Sequence, residues 1–115
     1  MWLITTTGFY SIVKKPGEKD LTIRSRVRKD LEKLRDKYLQ NMGEILRTDN
    51  ADYRYRAQIS HAEFAAAAAQ MVLDIEYDNF KNTVAKVQGH NRAHVYGNVW
   101  EDLLVLEKEE LFDYQ

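Results

Sequence analysis

The 115-residue chain has no cysteine, a single proline and no long hydrophobic run. Without cysteine there can be no disulfide, no thiolate metal ligand and no cysteine nucleophile, and the usual case for a disulfide-built secreted domain falls away. No stretch approaches the roughly 18 consecutive apolar residues of a membrane-spanning helix. Met1-Trp2-Leu3-Ile4-Thr5 supplies neither a basic leader nor an apolar segment of signal-peptide length. The expectation is therefore a cytoplasmic protein without a membrane partner. The five glycines (Gly8, Gly17, Gly43, Gly89 and Gly97) are scattered and match neither a phosphate loop nor a dinucleotide fingerprint. No cofactor is expected.

What is present fits a folded globular chain long enough to bury one core without staples. We expect one α+β domain over residues 1–106 and an acidic C-terminal tail over residues 107–115. The formal net charge of −1 hides an asymmetry. From Glu101 to Gln115 six acids face one base, Lys108, so residues 1–100 carry the balancing positive charge. Such a split points to a charged partner or to internal pairing.

Three stretches alternate with the two-residue period of strands. The first runs from about Trp2 to Lys14, with Gly8 read as a bulge or bend. Lys15-Pro16-Gly17-Glu18-Lys19-Asp20 reads as a turn. The second strand sets Leu21, Ile23 and Ser25 against Thr22, Arg24 and Arg26. The third, Asp52 to Ile59, sets Tyr53, Tyr55, Ala57 and Ile59 against Arg54, Arg56 and Gln58.

Helical spacing fills the rest. Val27, Leu31, Leu34, Tyr38 and Met42 share one face. Ser60-His61-Ala62-Glu63 is a capping-box pattern opening a helix that contains Phe64 and five alanines, Ala65 to Ala69. Asp78 or Asn79 caps a shorter helix that Gly89 ends, and a last helix starts near Asn91. Gly97 within it suggests close backbone approach, with the alanine run as one candidate neighbour. The expected fold class is α+β: a three-stranded antiparallel-type sheet, order β-β-α-β-α-α-α, with helices packed mainly on one face. The first strand is expected at the centre, the second beside it by a hairpin, and the third on its other edge after a right-handed crossover.

Trp2-Leu3-Ile4-Thr5, Gly8-Phe9-Tyr10-Ser11, Leu21 to Arg26, Asp52-Tyr53-Arg54-Tyr55-Arg56 and Tyr77-Asp78-Asn79-Phe80-Lys81 together resemble a family of small bacterial proteins of about this length. The resemblance spans roughly residues 2–106. It implies a bacterial or phage-like setting and transfers no activity, cofactor or catalytic residue.

Strand phase gathers Arg24, Arg26, Arg54 and Arg56 on one sheet face. Tyr10 with Ile12, or Phe9 with Ser11, lies between them, because the first strand is apolar on both faces. Guanidinium forks bind phosphate or carboxylate, and an aromatic between them stacks a base. The competing reading is a solvated face whose arginines pair with acids or lay their stems on apolar surface. His90 and His94 stand four apart, as in helical metal pairs, but lack the glutamate of H-E-x-x-H. His61 or a carboxylate would have to supply a third ligand. Near Gly89 a helix start with Arg92 could instead hold an anion, or these are ordinary helix-end residues. Ser60 beside His61 is accounted for by capping rather than catalysis, and Asp74, Glu76 and Asp78 are the acids common before a helix.

The expected function is a non-enzymatic binding or adaptor protein. It would recognise nucleic acid, a nucleotide or an acidic protein segment through Arg24, Arg26, Arg54 and Arg56, with Tyr10 and Arg92 assisting. The alternatives are a small metal-dependent hydrolase using His90, His94 and His61, and a protein–protein regulatory module acting through the apolar tail or a sheet edge. Self-association is a further expectation, since it covers sheet edges. The acidic tail would either fray, bind a partner, or fold over the arginines and compete with an anion.

Overall fold

A computed structural model describes residues 1–112 of the chain. The chain separates into two compact units, Met1–Glu76 and a second beginning at Tyr77. Among the described residues no helix is long and apolar enough to cross a membrane.

The first unit holds a sheet of five strands, all paired antiparallel, which corrects the expected three. Its strands are β1 (Trp2–Ile4), β2 (Phe9–Val13), β3 (Leu21–Ser25), β4 (Leu46–Arg47) and β5 (Tyr55–Ile59), in the spatial order β1-β2-β3-β5-β4. The long first strand is in fact a hairpin. The Thr5 hydroxyl accepts the N–H groups of Thr7 and Gly8, at 3.0 and 3.2 Å, while Thr5 N–H donates to the Gly8 carbonyl at 2.9 Å. A side chain thus closes the turn that three successive threonines disguise as strand.

That hairpin also overturns the strand order. The edge of β2 reserved for the third strand is already taken by β1, so β5 docks on the free edge of β3. The central strand is β3, and because β3 and β5 run antiparallel no right-handed crossover is involved. The fifth strand, β4, has two residues, too few to show a period. It forms because the loop after Thr48 doubles back, with Asn50 at φ 65° and Thr48 N–H donating to the Arg54 carbonyl at 2.7 Å.

Helices α1 (Arg28–Lys37) and α2 (His61–Leu73) belong to this unit. Leu31 and Leu34 of α1 and Phe64 and Ala67 of α2 pack with Tyr10, Ile12, Ile23, Ala57 and Ile59 in one core. Leu39, Met42 and Ile45, from the irregular segment after α1, complete it. Truncating a fully buried member such as Ile23 or Leu34 to alanine should cost about 2–5 kcal/mol. Both helices therefore cover the same sheet face.

The second unit contains α3 (Phe80–Gln88), α4 (His90–Leu103) and α5 (Leu106–Phe112). The Asn79 side chain accepts Asn82 N–H at 2.9 Å and caps α3. Gly89, at φ 97°, ends α3 and starts α4 in a single residue, a conformation that glycine adopts without penalty. Val84, Ala93 and Tyr96 are buried here, with Phe80 stacked on Tyr96 at 6.0 Å. At Gly97 a β-carbon would meet only the Lys81 stem, at 3.7 Å, an ordinary contact, so the expected close backbone approach is not what places glycine there. Of the expected acidic tail, residues 113–115 lie outside the described residues.

Candidate functional site

Residues paired across a sheet point to the same face, so the register sorts the side chains. One face carries Tyr10, Ile12, Ile23, Ala57 and Ile59 into the core. On the other, one row crosses the whole sheet: Trp2 pairs with Ser11, Ser11 with Arg24, Arg24 with Arg56, and Arg56 with Leu46. A second row pairs Val13, Thr22 and Gln58. Neither α1 nor α2 packs on this face.

The cations on it are held by neutral groups. Arg24 Nη2 donates to Ser11 Oγ at 2.6 Å, Arg56 Nη2 to the Tyr53 carbonyl at 3.3 Å, and Arg26 Nε to the Asp52 carbonyl at 3.2 Å. The Tyr53 ring lies under two guanidiniums, 4.7 Å from Arg24 and 4.8 Å from Arg26. Phe9 stands 6.3 Å from Tyr53, and Trp2 meets Phe9 edge-on at 5.8 Å. Among the described residues no carboxylate pairs with Arg24, Arg26, Arg54 or Arg56; the ion pairs present belong to Arg28, Arg35 and Arg47. The Nε atoms of Arg24 and Arg56 are buried without an acceptor. Like charges directly opposite on an antiparallel pair are destabilising, and Arg24 opposite Arg56 is such a pair.

The structure divides the residues singled out from sequence. Arg24 and Arg56 sit side by side, with Arg26 joined to them through Tyr53. Arg54 is exposed in the loop before β5, and among the described residues its guanidinium makes no hydrogen bond, ion pair or ring contact. Tyr10 is not between the arginines. It is fully buried on the core face, where its hydroxyl donates to the Asp30 carbonyl at 2.8 Å. Phe9 and Ser11 take the arginine side instead.

Tyr53 departs from expectation in the opposite sense. Strand β5 begins only at Tyr55, so alternation does not extend back to residue 53, and the ring folds under the arginines. Arg92, on α4 of the second unit, donates from Nη1 to the Tyr96 hydroxyl at 3.0 Å. His61 opens α2, while His90 and His94 lie in the first turns of α4; all three are exposed. Among the described residues no group of three or more His, Asp or Glu side chains is arranged to hold a metal ion.

Sequence reasoning missed what lies at the end of the arginine row. A cleft of about 320 Å³ is lined by Lys15, Glu18, Thr22, Glu44, Arg56 and Gln58, with Gly43 and Leu46 beside them. Glu18 reaches over from the β2–β3 turn. Its Oε2 accepts from Gln58 Nε2 at 2.8 Å and from Thr22 Oγ1 at 3.4 Å, joining a cross-strand pair. The turn itself was legible; that it leans over the sheet was not.

Neither a family model, nor a curated protein, nor a solved structure matches this chain.

Proposed function

We propose that this chain is a non-enzymatic, cytoplasmic binding protein that takes an anionic partner on the face of its sheet opposite α1 and α2. Arg24, Arg26 and Arg56 are the contact residues, with Arg54 at the margin. The observation that supports this most is the facing of Arg24 and Arg56 across β3 and β5 with no carboxylate, among the described residues, in ion-pair contact with either. Surface arginines kept only for solubility have no need to repel each other at one point. An anion laid across the pair relieves that repulsion and supplies acceptors for guanidinium edges, and charge-assisted bonds of this kind are among the stronger hydrogen bonds.

The test is a mobility-shift titration with single- and double-stranded DNA and RNA at two salt concentrations. Counterion release predicts that affinity falls steeply with salt, and each arginine-to-alanine change should lower the slope by about one. Absence of any shift at low salt, or shifts indifferent to all three arginines, would end the reading.

A further inference from the structure

We infer that the partner is single-stranded nucleic acid, and that the cleft beside Arg56 receives one of its bases, favouring bases that carry an amino group. This rests on the anionic-partner reading above and sharpens it.

Acids join the cations only at one end of the row, in the cleft that Arg56 also lines. Arg24, Arg26 and Arg56 make the platform cationic, while the adjoining cleft holds two carboxylates, Glu18 and Glu44. An acidic peptide or a free phosphate drawn to the platform finds no match for its charge in those two carboxylates. A nucleic acid strand suits both places, because its charge runs along the backbone and its bases are uncharged donors and acceptors. Lys15 on the cleft's rim adds one more contact for a neighbouring phosphate.

The donors a base would need to offer follow from what lines the cleft. A carboxylate accepts at about four lone-pair positions and donates nothing. Glu18 uses Oε2 for Gln58 and Thr22, and among the described residues its Oε1 accepts no hydrogen bond. Adenine, cytosine and guanine present an exocyclic amino group to such an acceptor; thymine and uracil offer only an N3–H set between two carbonyls, which the carboxylate repels. In a duplex those amino groups are engaged in pairing or lie along a groove edge, so the cleft selects unpaired bases.

Trp2 marks the far end of the row and is 70% exposed, whereas the Tyr53 ring is already covered. An open indole face stacks any base. From β1 to β4 the row spans four strand spacings of about 4.8 Å each, a length suited to a few nucleotides rather than one.

The experiment is fluorescence anisotropy of the full chain with labelled oligo-dC, oligo-dA and oligo-dT of equal length, a duplex, and polyglutamate of equal charge. Oligo-dC and oligo-dA should bind roughly tenfold tighter than oligo-dT. Glu18→Gln should collapse that ratio toward one, chiefly by raising oligo-dT affinity once the carboxylate that repels thymine carbonyls is gone, and Glu44→Gln provides a second, isosteric probe of the same cleft. Trp2→Ala should weaken all three homopolymers by roughly tenfold. Equal affinity for the three homopolymers, a preference that survives both glutamine variants, or polyglutamate or duplex binding as tight as oligo-dC would overturn the inference. In each of those cases Arg26→Ala would still weaken binding, which keeps the anionic-partner reading. If no polyanion binds, or Arg26→Ala changes nothing, that reading fails as well.

Discussion

The Asp30 carboxyl group occupies the space that a β-carbon on Gly8 would need: an added methyl would lie 2.5 Å from Asp30 Cγ. Asp30 is buried in the first turn of α1, and its Oδ2 accepts Phe9 N–H at 3.1 Å. Its own carbonyl accepts the Tyr10 hydroxyl. The start of α1 is thereby tied to the start of β2, and with it the phase that sends Tyr10 inward and Phe9 outward. Gly8→Ala should destabilise the protein by about 2–4 kcal/mol, as overpacking beside a buried polar group does. In a double-mutant cycle by denaturant unfolding, Gly8→Ala with Asp30→Ala should cost less than the sum of the single changes. Strict additivity would show that the two residues do not compete for that space.

The same contact explains what could and could not be read from sequence. Alternation separates Arg24 and Arg56 from Ile23 and Ala57 because each strand has one polar side. Strand β2 offers no such asymmetry: Phe9, Ser11 and Val13 look no less suited to a core than Tyr10 and Ile12. Its phase is settled by Asp30, a residue whose importance here no local pattern reveals. The β1–β2 turn was hidden because threonine serves both strands and side-chain-closed turns. The two-residue β4 and the folding of Tyr53 under Arg24 and Arg26 depend on a loop that only the tertiary pairing positions. The Ser60 cap, the Gly89 stop and the inward Leu31 and Leu34 were legible, since each rests on neighbours three or four residues away.

Tyr38 links α1 to α2 through a hydrogen bond from its hydroxyl to Asp74 Oδ2 at 2.8 Å. Partial burial, then the bond to Asp74 and its charge, push the phenol from 10.0 up to about 12. A raised folded-state pKa favours the neutral phenol in the native protein. Its contribution is therefore complete below pH 10 and lost as pH climbs toward 12. Asp74 is held below its ordinary value, first by the Gln70 amide and then by Tyr38, so its contribution fades as pH falls through the acid range. Thermal melts across pH 9 to 12 should show a steeper alkaline loss for the native chain than for Tyr38→Phe. Superimposable alkaline limbs would mean that the Tyr38 bond contributes nothing in solution.

At the start of α2 the capping box is only half made. Ser60 Oγ accepts Glu63 N–H at 3.2 Å, but the Glu63 carboxylate takes the Ser60 hydroxyl at 3.1 Å rather than the Ser60 N–H. A reciprocal box would make both residues matter for orphan N–H groups. Here Ser60→Ala should cost about 1 kcal/mol and Glu63→Ala only a few tenths, because only the serine satisfies a helix donor. Chemical denaturation of both variants decides it, and equal losses would restore the full box.

The cost of holding Arg24 against Arg56 gives the prediction that separates a binding surface from a merely stable one. If like charge is kept at this point for a ligand, removing one partner should help the free protein while harming the complex. Arg56→Gln removes the charge and the 3.3 Å bond to the Tyr53 carbonyl but keeps much of the stem over the sheet, so packing changes little. We expect the free variant to match or exceed the native chain in stability, by up to about 1 kcal/mol. Its polyanion affinity should fall, and with it the rise in Tm that saturating polyanion gives the native protein, since ligand bound only to the folded state stabilises by mass action. Raising salt should shrink that Tm rise for the native chain and narrow the gap between the two proteins, because screening weakens both the repulsion and the binding. Paired melts with and without oligonucleotide at low and high salt report all of these terms. A variant that is clearly less stable than the native chain when free would mean that Arg56 is there to hold the sheet together, and the repulsion argument for this face would fall.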